Sequence, residues 1–303
     1  MEHRIFVTGA TGYLGSAFAA RLKRAGHEVF GLTRSPERAA ALEAAGIHGV
    51  AGDLKQPETW IGLLKNCDVV VHAPYDSDDV AGADAAALEA YRSAAQDGRL
   101  RRLLYMSGMW VHGDTRGAVV NEQTPLDPIP HVKWRAAHEE MALDLADDEV
   151  QVVVLRAPLV YGEGRGIFAG FFAEARDQHT VTIPGDGSQF WGMVHRDDVA
   201  EAFRLALEYA RGGERYILSD ESSHTAAEIG GAIARASGAT LAFTSPEEAQ
   251  RTMGSLGTAL LTSQRMTSAK ARRELGWVPR HASFVAEADA LYAEWQGQQT
   301  PVR

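Results

Sequence analysis

Residues 4–15 read Arg4-Ile5-Phe6-Val7-Thr8-Gly9-Ala10-Thr11-Gly12-Tyr13-Leu14-Gly15, and they decide the fold of this 303-residue chain. A short apolar strand runs into a glycine-rich turn and then into a helix. Gly9 allows the sharp turn, Gly12 lets the backbone approach a pyrophosphate, and Gly15 lets the helix pack closely on the strand. Because the N-terminus of a helix attracts anions, the stretch predicts a cradle for dinucleotide phosphates. The predicted loop residues are Gly9, Thr11, Gly12, Tyr13, Leu14 and Gly15.

The sequence on the C-terminal side of this loop supports the same interpretation. Phe18 and Leu22 form an apolar stripe at helical spacing, and basic residues lie on the opposite face. The helix is predicted to end at Ala25-Gly26, and residues 27–32 form a second strand. The result is a strand, glycine-rich turn, helix and strand in the order that dinucleotide binding requires.

Strands and helices continue to alternate through the first two thirds of the chain. Continuous apolar strands separated by helices indicate a parallel sheet that is covered on both faces. The predicted fold class is therefore α/β, a doubly wound parallel sheet of the Rossmann type. The further predicted strands are 47–54, 68–73, 102–107, 150–156 and 215–218, and the helices between them are 36–45, 57–65, 81–96 and 134–146.

Past Pro158 the alternation loosens into glycine-rich loops and an aromatic helix. Such loops suit a binding cleft, and the C-terminal residues predict a small, mainly helical cap. We predict a dinucleotide-binding domain over 1–165 and 188–222, and a substrate-binding cap over 166–187 and 223–303. The active site is expected where the carboxyl ends of the strands meet this cap.

Composition limits the partners and the environment. The formal net charge of -10, from 40 acidic and 30 basic residues, argues against a nucleic-acid or anionic membrane surface. A single cysteine, Cys67, excludes an intramolecular disulfide, and the spacing of the histidines predicts no metal site. With no signal-like or membrane-length apolar segment, we expect a cytoplasmic protein that acts on a small molecule.

The end of the second strand predicts which cofactor is bound. An acidic residue at this place would bind the ribose hydroxyls of NAD and repel a phosphate. The chain has Arg34, Ser35 and Arg38 there instead, and the two guanidinium groups are suited to a 2'-phosphate. We therefore predict that NADP(H) is preferred, with NAD(H) as the alternative cofactor.

Several further motifs make the chain resemble the extended short-chain dehydrogenase/reductase family, which includes sugar-nucleotide epimerases, dehydratases and dihydroflavonol-type reductases. The resemblance covers nearly the whole chain. It implies that Asp53 and Leu54 contact the adenine, and that His72, Ala73, Pro74 and Pro158 lie against the cofactor. It also implies that a homodimer can form through the helices 81–96 and 134–146. The motifs are the glycine-rich loop, Gly52-Asp53-Leu54, Val71-His72-Ala73, Arg156-Ala157-Pro158-Leu159-Val160-Tyr161-Gly162, Val194-His195-Arg196-Asp197-Asp198-Val199-Ala200 and the segment 268–279.

The chain departs from this family at the residues that carry out proton transfer. Family members use a Tyr-x-x-x-Lys pair on a helix, in which the tyrosine exchanges a proton with the substrate and the lysine lowers its pKa and holds the nicotinamide ribose. At that place this chain has His131 and Arg135. His131 titrates near neutrality and could itself be the acid or base, with Arg135 fixing the ribose. Alternatively, His131 is a loop residue and Arg135 a surface or ribose contact.

Two other side chains are candidates for the same chemistry. Ser107 lies at the end of the fifth predicted strand, where the family places a catalytic hydroxyl, often one residue later; it could instead bind the cofactor or cap the strand. Tyr161 is a reserve proton donor because it is a phenol beside a glycine-rich loop. The leading predicted function is an NAD(P)-dependent oxidoreductase of a small carbonyl or alcohol. The alternatives are a non-catalytic NADP(H)-binding sensor or regulatory protein, and a sugar-nucleotide epimerase or dehydratase.

Overall fold

The computed structural model describes residues 2–75 and 78–299, which form thirteen strands and twelve α-helices. The strands are β1 (Arg4–Thr8), β2 (Glu28–Thr33), β3 (His48–Ala51), β4 (Val69–His72), β5 (Arg102–Gly108), β6 (Val119–Val120), β7 (Gln151–Ala157), β8 (Leu159–Tyr161), β9 (Thr180–Pro184), β10 (Met193–His195), β11 (Arg215–Ile217), β12 (Thr240–Thr244) and β13 (Arg265–Met266). The helices are α1 (Tyr13–Arg24), α2 (Pro36–Ala44), α3 (Ile61–Leu64), α4 (Val80–Asp97), α5 (Lys133–Leu143), α6 (Ile167–Gln178), α7 (Arg196–Tyr209), α8 (Ala226–Ser237), α9 (Pro246–Met253), α10 (Ser255–Leu260), α11 (Ala269–Leu275) and α12 (Phe284–Gln299).

Seven strands form one parallel sheet in the order β11-β7-β5-β4-β1-β2-β3. Successive residues of a strand point to opposite faces, so each strand contributes to two cores. Ile5 and Val7 of β1 lie in the core on one face, and Phe6 lies in the core on the other. The structure confirms the predicted doubly wound fold. The strand order reverses between β1 and β4, and a cleft opens there at the carboxyl ends of the strands.

The cap is built around an aromatic core rather than around helices alone. Phe168 and Phe172 of α6 pack against Phe284 and Trp295 of α12, and all four side chains are buried. The mainly helical cap that the sequence predicted also contains a parallel pair of strands, β9 and β12. The β12 sequence has only five residues and few apolar side chains, so its alternating pattern is too short to predict a strand.

The C-terminal segment does not lie entirely in the cap. Ala271, Leu275 and Trp277 pack into the core that α1 and α7 form on the sheet, and the Trp277 indole N–H donates to the Asp198 carbonyl oxygen at 2.8 Å. We therefore assign α11 and Trp277 to the sheet layer, although the sequence-based boundary put residues 223–303 in the cap. No helix among the described residues has the length and apolarity to span a membrane.

Candidate active site

A cavity of about 1190 Å³ opens at the carboxyl ends of the sheet strands, beside the point where the strand order reverses. It is continuous from the glycine-rich loop to the cap. Most of the predicted site residues line it, whereas Gly15 and Tyr161 are absent from the described residues that do so. The predicted residues in its wall are Gly9, Thr11, Gly12, Tyr13, Leu14, Arg34, Ser35, Arg38, Asp53, Leu54, His72, Ala73, Pro74, Ser107, His131, Arg135 and Pro158.

The glycine-rich loop has the shape that a dinucleotide diphosphate requires. Gly9 adopts a φ of 70°, and a Cβ there would overlap the Ala73 carbonyl oxygen. Gly15 lies behind the loop, where a Cβ would overlap the Gly9 carbonyl oxygen, so its part is the close packing of helix on strand. Helix α1 has no side-chain cap and no acidic residue in its first turn. Its free N–H groups and dipole therefore fit an anion.

Tyr13 joins this loop to the glycine-rich segment that follows β8. Its hydroxyl donates to the Gly162 carbonyl oxygen at 3.0 Å, and Gly166 packs so closely that a Cβ there would lie 2.8 Å from the phenol ring. Burial raises the pKa of Tyr13, so the hydroxyl remains a donor at neutral pH. Arg196 of α7 donates to the Tyr13 carbonyl oxygen at 2.7 Å and fixes the loop from below.

The end of β2 lies beside the N-terminus of α2 in the same wall. Ser35 is the N-cap of α2. Its hydroxyl oxygen accepts from the Arg38 amide at 3.2 Å, and its O–H donates to a Glu37 carboxylate oxygen at 2.6 Å. Arg34 and Arg38 add two guanidinium groups to this part of the cavity. On the neighbouring strand end, an Asp53 carboxylate oxygen accepts from the Lys55 amide at 2.9 Å.

A buried polar network that sequence reasoning missed lies behind the β4 end. Asp84 of α4 accepts from His72 at 2.9 Å, from His138 at 2.8 Å and from the Tyr105 hydroxyl at 2.9 Å. Burial alone would raise the pKa of Asp84, but His72 and the other donors outweigh it and hold that pKa well below its usual range. Asp84 is therefore ionised at neutral pH, and both His72 and Asp84 lie in the wall of the cavity.

Ser107 is held by a second buried network on its far side. The Ser107 hydroxyl donates to Glu139 of α5, which also accepts from Arg156 of β7 at 3.0 Å. Arg156 donates to His112 at 3.0 Å in turn. Burial, followed by the Arg156 charge, lowers the pKa of His112 to about 4, so His112 is neutral and accepts. Since the Ser107 proton is directed at Glu139, the Ser107 oxygen is left as an acceptor toward the cavity.

His131 lies in a 3-10 turn over Pro130–Val132, directly before α5, and Arg135 lies in the first turn of α5. His131 Nδ1 lies 2.9 Å from the Ser255 hydroxyl, and its ring meets the Trp110 ring edge to face. Burial, followed by the Arg135 charge, lowers the pKa of His131. Arg135 donates to the Met106 carbonyl oxygen at 3.1 Å and stacks on Trp134. The structure thus brings Ser107, His131 and Arg135 to one wall of the cavity.

Tyr161 is placed differently from the reserve proton donor that the sequence suggested. Its side chain is fully buried in the cap core, where the ring packs edge to face against His195 and Phe284. Burial raises the pKa of Tyr161, and no described residue pairs with its hydroxyl. A phenol that solvent does not reach is unsuited to proton transfer, so the prediction of Tyr161 as a reserve proton donor is wrong.

One cluster with metal-ligating side chains lies outside the cavity, although the sequence predicted no metal site. His195, Asp197 and His281 present ligand atoms within 4.8 Å of one another. The two imidazole rings stack face to face with 3.3 Å between centroids. His195 Nδ1 accepts from the Asp197 amide at 3.1 Å, and His281 Nδ1 lies 2.8 Å from Glu287. In stacked rings the lone pairs of the ring nitrogens point in parallel, whereas the ligands of a tetrahedral metal centre must point toward one atom. The stacked pair of His195 and His281 therefore fits such a centre poorly.

The fold and this site define an α/β protein of the dinucleotide-binding class, with a cavity that extends from the glycine-rich loop to a cap. Comparison with known proteins gives the particular family: the model of the NAD dependent epimerase/dehydratase family matches residues 5–218. The chain belongs to this family, as the resemblance to extended short-chain dehydrogenases/reductases predicted. The family description and the glycine-rich cradle together support a nicotinamide cofactor.

Two relatives and one solved structure show the range of similar proteins. An uncharacterised protein of Schizosaccharomyces pombe is 33% identical over 298 residues, which cover 95% of this chain and 100% of that protein. A 4-hydroxy-2-methyl-3-oxo-4-farnesyl-3,4-dihydroquinoline-1-oxide ketoreductase of Stigmatella aurantiaca is 30% identical over 227 residues, 72% of this chain and 68% of that enzyme. A human epimerase family protein solved with NADPH has a TM-score of 0.77 at 20% identity, covering 96% of this chain and 99% of that one.

Proposed function

We propose that this protein is an NADP(H)-dependent oxidoreductase that reduces a small carbonyl compound or oxidises the matching alcohol. One observation carries the proposal: a single cavity is lined both by the dinucleotide cradle and by Ser107, His131 and Arg135. When bound, the nicotinamide supplies hydride transfer to or from carbon. The part of this chain is to bind that cofactor, to hold the substrate oxygen and to exchange a proton with it. The similarity to a ketoreductase supports reduction of a carbonyl compound as the reaction.

The preference for NADP(H) rests on the wall formed by Arg34, Ser35 and Arg38. Forked guanidinium groups and a helix N-terminus favour a phosphate over a free ribose hydroxyl. We expect Arg34→Asp to invert the preference, with a loss of about 1.5 to 3 kcal/mol of NADPH binding. Calorimetric titration with both cofactors measures this. Arg211→Asp makes the same charge change at an exposed loop and should leave the order unchanged. Equal affinities of the parent protein for the two cofactors would contradict the preference.

His131 is proposed as the group that exchanges the proton, and its lowered pKa places the pH dependence at a lower pH than an ordinary histidine would. Carbonyl reduction consumes a proton, so it needs the imidazolium form, whose population falls as pH rises through the pKa of His131. Alcohol oxidation needs the neutral imidazole, so its rate should rise as the pH increases over the same range. The Ser255 hydroxyl can donate or accept, so it can orient either form of the ring.

His131→Ala tests this role. We expect turnover to fall about a hundredfold or more while cofactor affinity stays nearly unchanged, because general acid–base groups contribute that much. NADPH absorbance with a panel of aldehydes and ketones gives the rate across pH. His224→Ala removes a partly exposed histidine outside the cavity and should keep the parent rate. Unchanged turnover and pH profile in His131→Ala would remove His131 from the mechanism.

A non-catalytic NADP(H)-binding sensor is the second candidate, because the family's Tyr and Lys are both replaced, by His131 and Arg135. Both candidates bind the cofactor, so binding does not separate them. The sensor predicts no NADPH oxidation with any substrate of the panel. Restoring the family pair with His131→Tyr and Arg135→Lys together asks whether the site still accepts that chemistry. If the double variant oxidises NADPH and the parent protein does not, the sensor is favoured.

A further inference from the structure

The end of the cavity next to the cap is apolar and aromatic. Its wall holds Met109, Trp110, Leu159, Ile167 and Leu256, and the last four of these pack against the aromatic core of the cap. Among the described residues that line the whole cavity, the arginines are Arg34, Arg38 and Arg135, and there is no lysine. Arg34 and Arg38 lie at the cofactor end, and Arg135 already donates to the Met106 carbonyl oxygen at 3.1 Å. This end therefore lacks the paired cations that a substrate phosphate needs.

Gln264 adds a polar side chain to this wall, and the orientation of its amide group is fixed. Its side-chain nitrogen donates to the Met109 carbonyl oxygen at 2.7 Å and to the Gly113 carbonyl oxygen at 2.9 Å. A backbone carbonyl can only accept, so the amide nitrogen must lie on that side. Both of its protons are used. The side-chain oxygen has no donor among the described residues, and Gln264 lines the cavity although it is only 5% exposed.

From these contacts we propose that the substrate is an uncharged aromatic or apolar ketone that carries a hydrogen-bond donor, and that Gln264 Oε1 accepts from that donor. The inference rests on the proposed function and names its substrate class. A substrate without a donor would bury this oxygen unpaired, whereas a hydroxyl or N–H would satisfy it. Gln264 is thus a specificity-determining residue outside the reacting atoms.

Gln189 offers a matched control within the same molecule. Its side-chain nitrogen also donates to two backbone carbonyl oxygens, those of Pro184 at 2.8 Å and Leu260 at 3.1 Å. It is buried like Gln264, at 8% exposed, and it is absent from the described residues that line the main cavity. Gln189→Met therefore loses the same kind of backbone contacts as Gln264→Met without changing the cavity.

The experiment compares acetophenone, its three ring-hydroxylated isomers and their methoxy analogues as substrates, with NADPH, for the parent protein and both variants. The methoxy group keeps the oxygen but cannot donate. We expect the parent protein to favour one hydroxylated isomer over its methoxy analogue roughly tenfold in kcat/KM. Gln264→Met should lose this preference, and Gln189→Met should keep it.

Failure of this inference is distinguishable from failure of the proposed function. Turnover of the ketones without a hydroxyl preference, or the same preference in Gln264→Met, would overturn the inference and leave the oxidoreductase proposal standing. If no ketone is reduced, the oxidoreductase proposal fails for this class, and calorimetric binding of each hydroxy and methoxy pair to the protein with NADP⁺ decides the inference. A binding preference that only Gln264→Met abolishes supports it; equal binding of both members, or of neither, overturns it.

Discussion

Glu139 and Arg156 determine the position of Ser107, although neither side chain is among the described residues that line the cavity. Their side chains are 0% and 1% exposed, and together they form a neutral, hydrogen-bonded pair. Each charge alone would be costly in this interior, so the pair persists as a unit. The Ser107 hydroxyl is oriented by the hydrogen bond that it donates to Glu139 of this pair.

Glu139→Gln should strongly destabilise the protein because it leaves the Arg156 charge buried without a counter-ion. We expect a loss of about 3 to 5 kcal/mol in the free energy of unfolding, measured by urea denaturation. Glu140→Gln is the neighbouring control. Its carboxylate is 60% exposed and pairs with Arg215 at the surface, so we expect a change below about 1 kcal/mol. Similar losses in both variants would refute the assignment of Glu139 as the essential buried partner.

At the scale of elements, helix α7 begins where the cofactor loop and the cap come together. His195 is its N-cap and accepts from the Asp197 amide, while its ring stacks on His281 before α12. Burial, followed by the His281 charge, lowers the pKa of His195 to about 4. In the unfolded chain a histidine has a pKa near its ordinary value of about 6.5.

Between pH 6.5 and 4 the unfolded state therefore binds more protons than the folded state, and stability falls as the pH is lowered through this window. His195→Asn keeps an N-cap acceptor and removes the titrating ring. Between pH 7 and pH 4 the free energy of unfolding should fall in both proteins. We expect the fall to be smaller in the variant by on the order of 2 to 3 kcal/mol.

Urea midpoints at the two pH values measure the effect. The exposed His48, changed to Asn in the same way, serves as the control and should keep the acid sensitivity of the parent protein. His112, whose pKa is also lowered to about 4, accounts for part of the sensitivity that remains. Identical pH dependence in His195→Asn and the parent protein would contradict the role given to the stacked ring.

At the scale of the whole molecule, the chain leaves the cap at α11 to pack on the sheet layer and then returns to the cap with α12. Trp277 is fully buried against α1 and α7, and its indole donates to the Asp198 carbonyl oxygen. Asp198 accepts in turn from the Arg280 amide at 2.9 Å. Sheet layer and cap are therefore joined through the segment around Trp277, and we expect them to unfold together.

Trp277→Ala should lower the free energy of unfolding by about 3 to 5 kcal/mol, the loss typical of removing a large buried aromatic side chain. The adjacent Val278 is 62% exposed, so Val278→Ala should change stability by less than about 0.5 kcal/mol. Tryptophan fluorescence and far-ultraviolet circular dichroism during urea unfolding report both the loss and its cooperativity. A transition that splits between the two probes in the parent protein would show that sheet layer and cap unfold separately.

The local signals in the sequence were sufficient for the sheet and for the cofactor end of the cavity. Strand and turn lie within a few residues of each other, as in the passage from β1 through Gly9 to α1, so periodicity and glycine spacing reveal them. The 57–65 helix was less regular than predicted: a 3-10 turn over Pro57–Thr59 precedes the short α3. Arg34 and Arg38 could be placed together in one wall of the cavity because they are neighbours in the chain.

What the sequence by itself determined was the order of strands and helices, the family, and the residues that each strand end presents to a dinucleotide. Only the tertiary structure decided that Glu139 and Arg156 hold Ser107, that Tyr161 is buried away from the chemistry, and that Gln264 enters the apolar end of the cavity. Their partners lie up to 155 residues apart, as between Gln264 and Met109, and no local pattern encodes such pairs. Burial and hydrogen-bond direction, which set the chemistry of these side chains, exist only once the distant segments have packed.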